Sequence, residues 1–379
     1  MSSLPPNTPA PNPAQAPAYP LQVEPVFVER VWGREDLTFL YATRPAKPGR
    51  VGEVWLTGTP NKIANGPWAG VPLEEVAGQF PKAVLGPSVA RIRPTHGPAF
   101  PLLIKFLFTT QKLSVQVHPT DSYAREREGS RGKTEMWHIV RAEPGARLAV
   151  GFREELEQGP RWSHGDLKNA VESGEIEGLL DWREIHPGET FYVPAGTVHT
   201  IGPGVVLCEV QQNSDITYRF YDYKRPGTDG KLRPLHIEQA LDVLKWRTSG
   251  GRTQPVEIEP DSSELLAASP YFTTERIPCS TPIEHAVEGT VEIWVALEGE
   301  AQFEGGGETA VCRRGEAVVL PAALETVQIK PTARTVFLRT FPPEPDSDIR
   351  APWMAQGFSE EQLSRVCFPR GVISPKGRG

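Results

Sequence analysis

GETFYVPAGTVH, residues 188–199, reads as strand, turn, strand. Thr190 to Val193 are β-branched or aromatic, Pro194 stops the ladder, Gly196 permits a tight bend, and His199 opens the next run. A proline-stiffened turn of this kind can aim its histidine into the interior of a β scaffold. The same pattern recurs: GEAVVLPAALET at 315–326 aligns with it, as TVEIWVALEGE at 290–300 aligns with TEMWHIVRAEPG at 134–145. In that register Gly196 and His199 become Ala323 and Thr326, so histidine-dependent chemistry is expected only in the first copy. Around the first copy run PVFVERVW, EVWLTG, LLIKFLF, LSVQVH, MWHIV and GVVLCEV, short apolar stretches bounded by turn residues, as in a barrel or sandwich.

Composition agrees with an all-β chain. Among 379 residues there are 39 prolines and 35 glycines, which favour short strands and rigid turns over long helices. Helical periodicity is confined to VPLEEVAGQF, to an insert near 154–182, and to a helix near 234–246 that Pro234 would open. Residues 1–24 read as a proline-rich disordered tail, with seven prolines in the first twenty. The net charge of −7 argues against nucleic acid or anionic lipid as a partner. No apolar run reaches the length of a membrane helix, and a cytoplasmic location is expected. Cys208, Cys279, Cys312 and Cys367 are too widely spaced for a zinc knuckle or a disulfide framework and read as ordinary thiols.

The chemistry gathers around His199. In QVHP, Gln116 and His118 are two apart and project from one strand face, and Glu135 opens EMWHIV seventeen residues later. Two imidazoles, a carboxylate and an amide oxygen form a mixed donor set that suits zinc, with one position left for water or substrate. His138, His164, His186, His236 and His285 have no partner at ligand spacing. Trp32, Trp137 and Trp294 lie in strand-like runs and read as core fillers.

The turn at 188–199 resembles the second conserved motif of the cupin superfamily. More specifically, PVFVERVWG, GEVWLTG with NGPWAG, LLIKFL with LSVQVHPTDSYA, GKTEMW, FYVPAGTVHTIG, VQQNSDITYRFYDY and LHIEQALDV resemble, in order over residues 25–245, the short bacterial form of type I mannose-6-phosphate (phosphomannose) isomerases. The resemblance implies two jelly-roll domains with short helical inserts: a catalytic one over 25–250 and a degenerate, metal-free one over 255–375. It implies one zinc ion held by Gln116, His118, Glu135 and His199, and catalytic roles for Lys133, Glu209, Asp215 and Arg219. Ser114 and Lys105 would meet the substrate phosphate. Without the resemblance, Asp215 and Arg219 would read as a surface ion pair, and Lys105 as the exposed member of an apolar strand.

The implied reaction interconverts mannose 6-phosphate and fructose 6-phosphate through an enediol. It needs a redox-inert Lewis acid, a fixed positive charge such as Arg219, and a base, for which Glu209 and Lys133 both qualify. The expected partner is a small-molecule sugar phosphate, and the chain is expected to be a monomer or weak homo-oligomer. Two other readings of the scaffold stay open: an iron-type oxygenase, which Gln116 and the flanking cations disfavour, and a non-catalytic sugar-phosphate sensor.

Overall fold

The computed structural model describes residues 15–42, 49–92, 98–158, 162–227, 229–247, 250–259, 263–344 and 347–369. All pairings between its strands are antiparallel, and they form two seven-stranded sheets, one five-stranded and one four-stranded sheet. The first large sheet runs Gly251–Arg252, Thr190–Val193, Glu135–Ala142, Val205–Gln212, Leu102–Phe108, Val51–Trp55, Val26–Arg34. Its partner runs Tyr218–Tyr221, Val115–Val117, His199–Ile201, Arg147–Phe152, Leu180–Glu184. The second half repeats the plan, with a large sheet Leu21–Val23, Ala317–Leu320, Glu292–Glu298, Thr335–Phe341, Thr273–Cys279, Ser263–Ala268, Val256–Glu259 beside a four-stranded one. The all-β, jelly-roll expectation therefore holds.

Alternation of side chains divides each central strand between two cores. In Leu102–Phe108, Leu102, Ile104, Phe106 and Phe108 enter a cluster that also contains Ile293, Val295, Val319, Val336 and Leu338, so the two large sheets share one apolar layer. Leu107 faces the other way, into a second cluster with Trp137, Leu207, Phe191, Leu148 and Ile201, which joins the first half's two sheets. Lys105 and Glu209 share that inner face. This overturns the expectation of an exposed Lys105: it is 7% exposed, because both faces of its strand are covered.

Three boundaries differ from the sequence expectation. Residues 1–14 of the expected tail lie outside the described residues, but Leu21–Val23 is a strand, registered Leu21 to Val319, with Tyr19, Leu21 and Val23 buried. Three apolar residues spaced by two outweigh the prolines around them. The helix expected near 234–246 spans Ile237–Val243 only. Pro234 precedes it and Leu235 is exposed. The insert near 154–182 contains the helices Glu154–Gln158, His164–Ser173 and Ile176–Leu179 and then returns as the edge strand Leu180–Glu184. Its central helix starts at a Ser163–Asp166 capping box and buries Leu167, Ala170 and Val171. All four cysteines are free and buried.

Candidate active site

Both sheets of the first half contribute to one site. The five-stranded sheet places His199 directly opposite Gln116, with Arg219 opposite Gln116 on its other side. The seven-stranded sheet sets Glu209 between Lys105 and Trp137 in a cross-strand row. Local structure locks these positions. Gly196 has φ +91° and donates its N–H to the His118 carbonyl at 2.8 Å, latching the turn of 188–199 onto the Gln116 strand. Gly132 is tightly packed against the backbone of Thr120 and Asp121, where a Cβ would lie 2.6 Å from their atoms; this presents Lys133 inward.

Among the described residues, His118, Glu135 and His199 form the cluster able to hold a metal ion, their ligand atoms all within 4.8 Å of one another and all three side chains buried. His118 Nδ1 donates to the Ile216 carbonyl and His199 Nδ1 to the Thr197 carbonyl, each at 2.8 Å. A carbonyl can only accept, so both rings carry their proton on Nδ1 and present the Nε2 lone pair to Glu135. Those Nε2 atoms lie 3.2 and 3.8 Å from the Glu135 carboxylate oxygens. Burial draws His199 down to about 4 and His118 well below the usual histidine value, the latter helped by the Lys133 ammonium, so both rings are neutral near pH 7. Neither oxygen of buried Glu135 accepts a hydrogen bond, although the Lys133 ammonium lies against it as an ion pair. A buried carboxylate compensated by a single ion pair and facing two imidazole lone pairs fits a divalent cation.

Gln116 joins the cluster with its amide nitrogen, 3.2 Å from His199 Nε2, while its oxygen accepts from the Ser114 hydroxyl at 3.0 Å. Serving a metal through oxygen requires the amide to turn over. Lys133 Nζ also lies 3.2 Å from His118 Nε2, and burial lowers its pKa to about 8. Glu209 accepts from the Trp137 indole at 2.9 Å and pairs with Lys105 Nζ at 2.8 Å. Burial pushes its carboxyl up, but Lys105 and Lys133 outweigh that and hold it at about 2.

Gln116, Lys133, Glu209, Lys105, Ser114 and Trp137 line a cavity of about 410 Å³ together with Arg30, Glu53, Trp55, Asp215, Arg219 and Arg233. Arg219 is half-buried with an unpartnered Nε. Burial and the adjacent Arg233 guanidinium draw its pKa below the ordinary arginine value. Sequence reasoning missed several of these residues. Trp137 fills core, but it also donates to Glu209 and meets His199 edge-on at 5.3 Å. Trp32 also lines the cavity. Glu53 is buried beneath Arg30, Trp55 and Lys105. Nothing but strand alternation in VERVW and GEVW could have flagged Arg30 and Glu53.

Comparison with known proteins gives one answer. The family described as phosphomannose isomerase type I, catalytic domain, matches residues 21–136. The Bacillus subtilis protein named "Probable mannose-6-phosphate isomerase GmuF" is 35% identical over 313 residues, covering 80% of this chain and 94% of its own. A Streptococcus mutans protein named mannose-6-phosphate isomerase is 32% identical, covering 82% and 95%. The crystal structure of the Bacillus subtilis mannose 6-phosphate isomerase superposes with a TM-score of 0.73 at 30% identity, covering 85% of this chain and 99% of that one.

Proposed function

Because the chain belongs to the type I phosphomannose isomerase family, we propose that it interconverts mannose 6-phosphate and fructose 6-phosphate with one zinc ion, through an enediol. The observation that carries this reading is the buried His118, Glu135 and His199 cluster set beside the cavity that Lys133, Glu209, Asp215 and Arg219 line. His118, Glu135, His199 and, with its amide turned over, Gln116 would hold the ion. When bound, zinc supplies a redox-inert Lewis acid beside the reacting oxygens.

The protein's own groups do the rest. The open-chain sugar must lose a proton from one carbon and gain one on its neighbour while negative charge develops on oxygen. Lys133 and Glu209 face the cavity and are the groups able to carry the carbon-bound proton. Glu209 is ionised beside Lys105 and Trp137 and is therefore present as a carboxylate able to accept a proton, while burial brings Lys133 down to about 8 and within reach of its neutral form. Arg219 keeps an unspent donor in a partly water-excluded setting, which suits stabilisation of the enediolate as it forms. Asp215, at the exposed rim, acts electrostatically on Lys105 and Lys133. Ser114 and Lys105 line the same cavity and would meet the phosphate of the sugar. We further propose that the catalytic unit spans 25–250 and that 255–375 is a non-catalytic copy, that the protein works in the cytoplasm, and that it is a monomer or weak oligomer.

An assay coupling fructose 6-phosphate formation to a dehydrogenase tests this reading. The purified chain should convert mannose 6-phosphate, lose activity on chelation and regain it with zinc. His199→Ala should lose metal and turnover together while its melting temperature shifts modestly. Full metal content in that variant would displace the site. Binding of the sugar phosphate without turnover by the zinc-loaded protein would favour the sensor.

A further inference from the structure

We infer that His236, a histidine with no partner at metal-ligand spacing, is a positioning residue: its main chain and its ring together complete the sheet edge at Arg219 and so fix the place of that guanidinium in the cavity. The inference rests on the isomerase reading for what Arg219 does, while the geometry of the hook stands alone. Tyr218–Tyr221 is an edge strand of the five-stranded sheet, laddered to Val115–Val117. In an antiparallel pair a residue turns its N–H and its C=O to the same side, so at an edge strand every second residue directs both away from the sheet. At Arg219 one residue takes both. The His236 N–H donates to the Arg219 carbonyl at 2.8 Å, and the Arg219 N–H donates to His236 Nδ1 at 3.4 Å. His236 thus replaces a neighbouring strand, its imidazole nitrogen standing in for a carbonyl.

Arg219 must be held through its backbone because its side chain is unspent. Its Nε is buried with no hydrogen-bond partner, and the Asp222 carboxylate that acts on it through charge pairs with Arg225 and Arg233 instead. A donor kept free for charge that develops in the transition state takes its direction from the strand that carries it. The hook is rigidly mounted. Tyr223 and Lys224 lead the chain out of the strand at φ +57° and +50°, a left-handed pair without glycine that persists only where surrounding contacts fix it. Those contacts are the Asp222 ion pairs and the Tyr223 ring, which meets the Lys112 and Arg225 cations at 5.5 and 5.9 Å. Where the chain returns, the His236 carbonyl accepts from the Ala240 N–H at 2.8 Å and opens the helix Ile237–Val243, whose Ala240 and Leu241 share a core with Val117, Tyr218 and Phe220. Burial, then the Arg219 charge, draw the His236 pKa below the usual histidine value, with Glu128 opposing. Near pH 7 the ring is therefore neutral, and its Nδ1 lone pair is available to the Arg219 N–H.

The test uses His236→Leu and His236→Asn in the full, zinc-loaded chain. Leucine removes the ring acceptor, asparagine offers a side-chain oxygen near the position of Nδ1, and both keep the main-chain N–H. His236→Gln, whose oxygen lies one bond further out, replaces the leucine variant if that one does not fold. Hydrogen exchange, read by mass spectrometry on the peptide containing Arg219, needs no turnover. The Arg219 amide should exchange about fivefold faster in His236→Leu, the weight of one hydrogen bond, and near the wild-type rate in His236→Asn. In the kinetic arm, kcat for mannose 6-phosphate should fall about tenfold in His236→Leu with KM and zinc content little changed, and His236→Asn should recover most of it. In an Arg219→Ala background His236→Leu should cost no further turnover, because the two residues act as a unit. Wild-type exchange at Arg219 in the leucine variant, losses that multiply in the double variant, or an asparagine variant as impaired as the leucine one would each overturn the inference even if the enzyme isomerises. Faster exchange at Arg219 in the leucine variant of a chain that does not isomerise would keep the hook and reject the reaction it serves.

Discussion

His199, Trp137 and Glu209 show how one side chain can serve packing and chemistry together. Trp137 is 1% exposed, which looks like plain core, yet its ring packs edge-on against His199 while its N–H holds Glu209 Oε1. Trp137→Phe keeps most of the ring and removes the donor. It should lower kcat by about 10- to 150-fold with unchanged zinc content, since a lost hydrogen bond to a buried charged group is worth roughly 1.5–3 kcal/mol. Wild-type turnover in that variant would reduce Trp137 to a filler. Arg219→Lys asks a complementary question, because it keeps charge and loses the planar fork. Turnover should fall by about 10²–10³ while KM changes little, as for a preorganised donor that acts in the transition state. An effect confined to KM would move Arg219 from chemistry to binding.

At the level of strands, the two halves carry the same row with its charges reversed. In the first, Glu209 lies between Lys105 and Trp137; in the second, Arg339 lies between Glu275 and Trp294. Glu292 precedes Trp294 as Glu135 precedes Trp137, and His285 meets Trp294 edge-on at 5.1 Å. Arg339 grips both Glu292 oxygens, at 2.7 and 2.9 Å, and His285 adds a contact at 2.8 Å. A guanidinium thus supplies the positive charge at the place where the first half offers a metal cluster. Burial pushes the Glu292 carboxyl up, but the His285 and Arg339 hydrogen bonds outweigh it and hold it at about 2. A carboxyl depressed below its unfolded value adds stability that is complete above about pH 4.5 and fades as pH falls toward about 2. Denaturant midpoints of wild type and Glu292→Gln should therefore differ most above about pH 4.5 and converge on acidification. A constant gap would mean that the carboxylate's charge is irrelevant. Arg339→Met leaves Glu292 buried with less compensation and should cost about 3–5 kcal/mol, with or without chelator.

The whole molecule is tied together by its N-terminal strand and its shared apolar layer. Leu21 is fully buried and pairs with Val319 across the length of the chain, in a cluster that includes residues of both large sheets. The layer shared by both large sheets couples the halves, so calorimetry is expected to give a single transition rather than one per half. Leu21→Ala should lower that transition as a unit, by about 2–5 kcal/mol. Two resolved transitions, or a split caused by Leu21→Ala, would show that the halves unfold independently.

Much of this protein is legible in its local chemistry. A proline and two glycines at set spacing specify the turn that carries His199, and alternation of apolar residues specifies strands, because both act over a few residues. The donor set of His118, Glu135 and His199 follows from spacing together with family resemblance, and the three do meet. What sequence could not show is which face of a strand turns inward and which distant strand lies beside it. Lys105 is buried because both faces of its strand are covered, Leu21–Val23 is ordered because a sheet edge nearly 300 residues away accepts it, and Arg30 joins Arg233 because the closing barrel brings an edge strand to a late loop. Pairing across such separations depends on the free energy of the whole core, to which no local window has access.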